Sequence, residues 1–284
     1  MPSMKAIKRR IVSVKNTQQI MKAMNLVAAS KVQKNKTKLE SIKPLYEEAR
    51  LFISQGVPDQ DAHSTEYYEA REVKRTAYVV LSGERGLCGS FNANVLKEAF
   101  KHMEGKNESI VAVGAKCKEF FVRRNKKIAS DHVGVLETVS YTTANEIAEQ
   151  LIELYNTKDT EKQVDEIYIV YTQFETLLAQ TPVVAKLLPL SSPESKAGSV
   201  KAAIYEPDIA TYLRKSVPIY IAMFLFGAMV ESSVCEQAAR MTSMDSATRN
   251  AGDIVDKLTL QYNRQRQGAI TQEISEIVGG ANAI

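Results

Sequence analysis

The chain has 284 residues, of which 44% are hydrophobic and 25% charged, and its formal net charge is +4. These proportions are ordinary for a soluble protein. Its longest uncharged apolar run, residues 216–230, is shorter than the roughly 20 residues that a membrane span needs, and therefore predicts a buried helix. The three cysteines, Cys88, Cys117 and Cys235, lie far apart and indicate neither a disulfide framework nor a zinc site.

The N-terminal residues 1–55 predict one long helix that pairs with a second helix. Seam residues recur at alternating steps of four and three, which is the heptad pattern of a coiled coil. They are Ile7, Ile11, Val14, Gln18, Met21, Asn25, Ala28, Val32, Asn35, Leu39, Ile42, Tyr46, Ala49 and Ile53. Three of them are polar, namely Gln18, Asn25 and Asn35, and they predict a pairing that is specific rather than maximally tight. Pro44 lies within the pattern and is a candidate bend.

The same helix carries a strong positive charge at its start. Residues 1–38 contain ten lysines and arginines and no acidic residue, so this segment is +10 and residues 39–284 sum to −6. Such a run favours phosphate, anionic lipid or an acidic protein surface as a partner, unless it is simply a solvated face.

The middle of the chain, roughly residues 70–200, predicts a Rossmann-like α/β domain. Four segments read as strands and three as helices between them, and this alternation is typical of a largely parallel sheet. The predicted strands are 77–82, 109–114, 165–174 and 181–190, and the predicted helices are 93–103, 115–124 and 143–155. Segments 56–69 and 191–208, rich in Pro, Ser and acids, are the predicted boundaries of this domain.

No catalytic or metal-binding constellation is evident in this middle region. The glycine-rich segment SGERGLCGSFN, residues 82–92, follows neither phosphate-loop pattern, so a tight strand-to-helix turn explains its glycines better. Cys88 within it reads as a small packed residue. The three histidines are scattered and suggest neither a triad nor a metal cluster. The sequence therefore predicts no active site and no cofactor.

The C-terminal residues 209–284 predict a second long helix with its own heptad seam. That seam runs through Met223, Gly227, Val230, Val234, Gln237, Met241, Met244, Thr248, Ala251, Val255, Leu258, Tyr262 and Gln265. Pro218 indicates a helix start or kink, and Gly279-Gly280 indicates its end. The two terminal helices predict an intramolecular antiparallel coiled coil, with the α/β domain inserted between them.

The end of the second helix is predicted to extend past its partner. Helices over 4–54 and 218–278 that start level would differ by about ten residues, or roughly 15 Å. This overhang lacks lysine and arginine beyond Arg266 and carries Ile270, Ile274, Ile277 and Val278 at helical spacing. An unpaired apolar tip predicts that another protein surrounds it.

Three segments resemble the gamma subunit of rotary F-type ATP synthases. IKRRIVSVKNTQQIMKAMNLVAASKV (7–32) is similar to its N-terminal helix, and SGERGLCGSFN to its internal glycine-rich segment. EQAARMTSMDSATRNAGDIVDKLTLQYNRQRQGAITQEISEIVGGA (236–281) is similar to its C-terminal helix. The terminal signature of the family is matched in register by Ile270, Thr271, Glu273, Glu276, Gly280 and Ala281.

The resemblance implies a non-catalytic rotor shaft. The coiled coil would stand in a hexamer of alpha and beta subunits, with the α/β domain at the foot beside the epsilon subunit and the membrane ion ring. Ion flow would turn the shaft and drive ATP synthesis at the beta subunits. The resemblance also implies a peripheral location, reached through the complex alone, on the cytoplasmic face of the cell membrane, with an organellar inner membrane as the open alternative.

The resemblance further assigns contact residues. Arg9, Arg10 and Met24 would face acidic loops of the beta subunits, and Arg240, Arg266 and Gln267 would meet beta-subunit loops higher on the shaft. The tip residues Ile270, Ile274, Ile277 and Val278 would sit in an apolar sleeve.

Two other readings of the sequence remain open. A basic coiled coil could bind nucleic acid, although the basic segment has no interleaved aromatic residue before Tyr46 and no recognition motif. A nucleotide-binding enzyme could use the 82–92 turn, although it would lack a catalytic constellation.

Overall fold

The computed structural model describes residues 3–55, 65–68, 71–157, 159, 162–190 and 205–281. Contacts divide the chain into two compact units. We call residues 1–29 with 240–284 the terminal unit, and residues 30–239 the central unit. The division predicted from the sequence follows secondary structure and gives two terminal helices and a middle domain, whereas the two units are defined by contacts. The predicted domain boundaries therefore stay a prediction. The predicted boundary segments 56–69 and 191–208 lie largely outside the described residues.

Two long helices contribute to both units. Helix α1 spans Met4–Gln55, and the last helix, α5, spans Ile209–Ala281. The heptad prediction for α1 is confirmed, because every described seam side chain from Ile7 to Ala49 is buried or half-buried while most other side chains of the helix are exposed. The side chain of Ile53, the last predicted seam member, lies outside the described residues.

Two sequence signals inside α5 do not mark its ends. Pro218 is neither its first residue nor its end, since the helix begins at Ile209 and continues through the proline. Gly279 and Gly280 do not stop the helix, which extends to Ala281. Glycine lowers helix propensity by only about 1 kcal/mol, which is too little to end a helix by itself.

A five-stranded sheet forms the middle of the central unit. Its strands are β1 (Thr76–Leu81), β2 (Glu108–Val113), β3 (Ile128–His132), β4 (Glu166–Phe174) and β5 (Gln180–Leu188). Their order is β3-β2-β1-β4-β5, with β5 antiparallel to β4 and all other neighbours parallel. The largely parallel Rossmann-like arrangement is thus confirmed. Strand β3 escaped prediction because IASDH is a short edge strand with polar residues and no apolar run.

Three further helices connect the strands. They are α2 (Phe91–His102), α3 (Ala115–Val122) and α4 (Tyr141–Asn156), within a few residues of the prediction. Alternate residues of β1 face opposite layers of the core. Ala77, Val79 and Leu81 join the layer formed with α4, α1 and α5, whereas Tyr78 and Val80 join the layer formed with α2 and α3. Both faces of the sheet are therefore covered.

The apolar start of α5 is a core helix. Composition and length alone would allow this helix to cross a membrane, but 72% of its most apolar window is buried inside the protein. Ile221, Ala222, Leu225 and Ala228 have no exposed surface and pack in the layer between α5 and the sheet. The prediction of a buried helix over residues 216–230 is confirmed.

Candidate functional site

Within the terminal unit, α1 and α5 form an antiparallel pair whose register is set by two amide side chains. Gln18 Nε2 donates to the Thr248 carbonyl at 3.1 Å, and Asn25 Nδ2 donates to the Met241 carbonyl at 2.8 Å. A carbonyl at a fixed helical position accepts such a bond at only one sliding register. Gly252, one turn beyond Thr248, leaves room for the approach, because a Cβ there would lie 3.2 Å from Gln18 Nε2.

The third polar seam residue, Asn35, also hydrogen-bonds to α5, here within the central unit. Asn35 Nδ2 donates to Ser233 Oγ at 2.9 Å. All three polar seam residues thus bind the partner helix, which confirms the prediction of a specific pairing.

The register also shows how far α5 extends beyond α1. Both residue pairs in the terminal unit have numbers that add to 266, so Met4 at the start of α1 lies level with about residue 262. Residues 263–281, about 19 residues or roughly 28 Å of helix, have no α1 residue beside them. The prediction of about ten residues was too short, because it started α5 at Pro218 and left out the nine helical residues from Ile209.

This free end carries an apolar row in contact with solvent. Ile270, Ile274, Ile277 and Val278 are between 47% and 71% exposed. Glu273 and Glu276 are the charged residues of segment 269–281, and Gln272 Nε2 donates to Glu276 Oε1 at 3.0 Å. An exposed apolar row of this length is typical of a surface that contacts another protein.

The basic segment of α1 presents most of its charge to solvent. Nine of the ten cations are exposed, Arg9 and Arg10 among them, and Lys38 is half-buried. Within the described residues, Lys36 makes the one ion pair of this group, with Glu40 at 3.8 Å. The exposed charges leave this helix face with a strong attraction for an acidic surface.

Met24 lies beside an apolar stripe on the same helix. Ile20 and Val27 are 61% and 58% exposed, and Met24 is half-buried. Ile20 and Val27 therefore form an apolar surface open to solvent next to Met24.

The other predicted contact residues differ from one another. Arg266 and Gln267 are exposed at the start of the free end, as the prediction requires. Arg240 is only 8% exposed and already has polar interactions within the protein, because a buried guanidinium must be paired. The assignment of Arg240 to a partner contact stays a prediction.

The glycine-rich segment is a structural turn at the carboxyl edge of the sheet. The carboxylate of Glu84 accepts from the backbone N–H of Ala115 at 3.0 Å and of Gly134 at 2.8 Å, and so ties the turn to the start of α3 and to the segment after β3. Asn92 Oδ1 accepts from the N–H of Gly83 at 2.7 Å. Cys88 is buried with Phe91 and Cys235 of α5. The prediction of a packed cysteine in a tight turn is confirmed.

The remaining titratable side chains do not assemble into a reactive site in the described part of the chain. His102 packs on Tyr168 and its Nδ1 lies 2.9 Å from the Tyr78 hydroxyl, and burial lowers its pKa. Burial raises the pKa of the Cys117 thiol, which keeps it protonated and unreactive. No group of three potential metal ligands occurs among the described residues.

Sequence reasoning missed a buried carboxylate, Glu231 of α5. It is 7% exposed, and burial raises its pKa although the Phe174 N–H and the Tyr46 hydroxyl both donate to it. Its position in the sequence could have indicated a buried carboxylate, because it is the first charged residue after the apolar run 216–230.

Comparison with known proteins agrees with this architecture over the whole chain. The family described as ATP synthase matches residues 3–284. The chain is 42% identical to the ATP synthase gamma chain of Pelotomaculum thermopropionicum over 287 aligned positions, covering 100% of both chains. It is also 42% identical to the ATP synthase gamma chain of Desulforamulus reducens, again over 100% of both chains.

A solved structure shares the fold at low sequence identity. The rotor of the Euglena gracilis mitochondrial ATP synthase in rotational state 1 superposes with a TM-score of 0.71 at 16% identity, covering 94% of this chain and 98% of that one. The paired terminal helices, the inserted sheet and the full-length sequence matches lead to one assignment. The chain belongs to the ATP synthase gamma chain family, the family of the central-stalk rotor subunit.

Proposed function

We propose that this chain is the central-stalk rotor of an F-type ATP synthase and couples transmembrane ion flow to ATP synthesis and hydrolysis on beta subunits. Its partners are the hexamer of alpha and beta subunits, the epsilon subunit and the membrane ion ring. The observation that carries the proposal is full-length membership of the gamma chain family. Family membership leaves no support for the nucleic-acid-binding alternative.

The paired helices suit the transmission of torque. A shaft must resist sliding of one helix along the other, and the amide-to-carbonyl bonds of Gln18 and Asn25 oppose such sliding directly. Shifting the register would break both bonds, and losing a hydrogen bond between partly buried groups costs about 0.5–1.5 kcal/mol. The pair is therefore held at one register while it carries load.

The free end of α5 suits a bearing. Its apolar row, Ile270 to Val278, can contact an apolar sleeve without forming strong ion pairs. Contacts of this kind are non-directional, so their energy changes little as the helix turns. Ion pairs would instead favour particular angles and slow rotation.

The exposed cations of α1 suit the part of the shaft that meets moving loops. In this proposal, Arg9, Arg10 and Met24 contact acidic loops of beta subunits, and Arg266 and Gln267 contact loops at the free end. The exposure of the four polar residues and the solvent contact of the stripe beside Met24 support this assignment. Arg240, which is 8% exposed, is assigned to a beta-subunit loop on the family resemblance alone.

The chain itself is non-catalytic in this proposal, and it joins the membrane only through the complex, on the cytoplasmic face of the cell membrane. Its glycine-rich turn supports this view, because the turn follows neither phosphate-loop pattern.

Reconstitution with partner subunits tests the proposal. The chain is co-expressed with alpha and beta subunits, the hexamer is fixed to a surface, and a probe is attached at Lys97→Cys on α2. This exposed site can be labelled selectively because Cys88, Cys117 and Cys235 are buried. ATP should drive unidirectional rotation of the probe. Failure of the chain to co-purify with the hexamer, or a complex that hydrolyses ATP without rotation, would refute the rotor assignment.

A further inference from the structure

Glu231 occupies an unusual position for a carboxylate. It lies on α5 directly after the apolar run 216–230 and is 7% exposed in the core of the central unit. Burying a carboxylate requires that its oxygens be hydrogen-bonded. Replacing buried polar groups by apolar ones is often neutral or stabilising, so stability alone is a poor reason for this residue.

The carboxylate joins three elements. Its Oε2 accepts from the Tyr46 hydroxyl of α1 at 2.9 Å, and its Oε1 accepts from the backbone N–H of Phe174 in β4 at 2.9 Å. Each oxygen thus binds a different element, while the residue itself belongs to α5. Displacing α1 or β4 relative to α5 would break one of the two bonds, and displacing α5 relative to both would break the two.

Beyond the end of β1, the backbone of β4 is hydrogen-bonded by side chains of helix α5. The pairing of β1 with β4 ends at Val170, so the last four residues of β4 extend past β1. Along this extension the Thr172 N–H donates to Ser232 Oγ at 3.4 Å, and Cys235 Sγ donates to the Thr172 carbonyl at 3.5 Å. Together with the bond from Phe174 to Glu231, these contacts tie one turn of α5 to the backbone of β4.

The surrounding packing leaves little freedom. Gly227 lies one turn before Glu231, and a Cβ there would lie 2.1 Å from Cδ2 of Tyr46. The Tyr46 and Phe224 rings are 5.6 Å apart, and the Phe224 and Tyr171 rings 6.0 Å apart. The hydroxyl of Tyr46 is therefore aimed at Glu231 by rings on α5 and β4.

We propose that Glu231 is a positioning residue that fixes the angle of α1 and α5 on the sheet, so that the sheet and the helix pair turn together under load. The proposal rests on the rotor function given above. It goes beyond that function by assigning the joint between sheet and helices to one carboxylate and its two donors.

Amide hydrogen exchange at Phe174 tests the joint itself. Tyr46→Phe keeps the ring and removes only the hydroxyl, so one oxygen of a buried carboxylate loses its donor. We expect exchange of the Phe174 amide in the full chain to accelerate about tenfold or more. Glu231→Gln, which can still accept from Phe174, should change it less. Glu47→Ala, an exposed neighbour on α1, is the control and should leave exchange unchanged. Unchanged exchange in Tyr46→Phe would overturn the joint.

Rotation in the assembled complex tests its mechanical role. With the hexamer fixed and the probe on α2, Tyr46→Phe should give greater variance of the probe angle during pauses and fewer ions pumped per ATP hydrolysed. Faster Phe174 exchange with unchanged variance and pumping would overturn the mechanical role and leave a purely structural contact. If the wild-type chain itself does not rotate, the rotor function fails instead, and the exchange experiment still decides the joint.

Discussion

Replacing Gly227 by alanine should destabilise the central unit, against the usual effect of this change in a helix. A Cβ at position 227 would lie 2.1 Å from Cδ2, 2.4 Å from Cγ and 2.7 Å from Cε2 of Tyr46. Real Cβ atoms do not approach other heavy atoms this closely, so the ring must move. It cannot move alone, because its hydroxyl is bound to Glu231 and its ring packs at a tilt against that of Phe224.

The expected loss follows from three contributions. Forcing an extra methyl into a packed core costs about 1–3 kcal/mol. Losing the hydroxyl from a buried carboxylate costs about 1–3 kcal/mol more. The higher helix propensity of alanine returns about 1 kcal/mol. The net change in the free energy of unfolding is therefore a loss of about 3 kcal/mol.

Urea unfolding followed by far-UV circular dichroism measures this loss. The midpoint of Gly227→Ala should fall by about 1 M or more, given the usual dependence of unfolding free energy on urea. Gly268→Ala is the matched control, because this glycine also lies inside α5 and a Cβ there meets nothing within 4 Å. A Gly227→Ala midpoint equal to that of the control would refute the packing argument.

Four further outcomes are expected. Gly252→Ala should change the free energy of unfolding by less than about 1 kcal/mol in a urea titration, because the gain in helix propensity offsets the weakened bond from Gln18; a loss as large as that of Gly227→Ala would contradict this. Burial raises the pKa of Glu231 above its ordinary value of 4.5, against the opposing effects of its two donors and of Arg50, with Tyr171 and Cys235 also facing it. The wild-type chain therefore loses stability as pH rises from below 4.5 through the raised pKa. The free energy of unfolding of Glu231→Gln, relative to that of the wild type, should increase toward neutral pH in urea titrations. A difference that stays constant with pH would contradict this. Met24→Lys should add an attraction of about 1–4 kcal/mol to acidic beta loops and lower the ions pumped per ATP at equal amounts of assembled complex. Ala23→Lys, one residue away and exposed, should not, and equal ratios in the two variants would exclude the contact. The isolated chain should hydrolyse no ATP, and sustained turnover free of beta subunit would overturn its non-catalytic role.

The sequence alone determined the features that depend on periodicity. The heptad seams of α1 and α5 persist over many turns, and a repeated spacing specifies one buried face whatever the partner is. The same holds for the alternation of strands and helices in the middle of the chain. The apolar residues of the free end, Ile270 to Val278, were visible for the same reason. Family resemblance then supplied the function, which no periodicity contains.

Only the tertiary structure decided the features that depend on contacts between distant residues. The length of the free end required the register, which is set by Gln18 on Thr248 and Asn25 on Met241. The edge strand β3 also depends on its pairing with β2. Glu231 is the clearest case, because its two donors, Tyr46 and Phe174, lie 185 and 57 residues away in the sequence. Local pattern can show that a residue is out of place among apolar neighbours, but only the packed structure supplies the partners that make its burial possible.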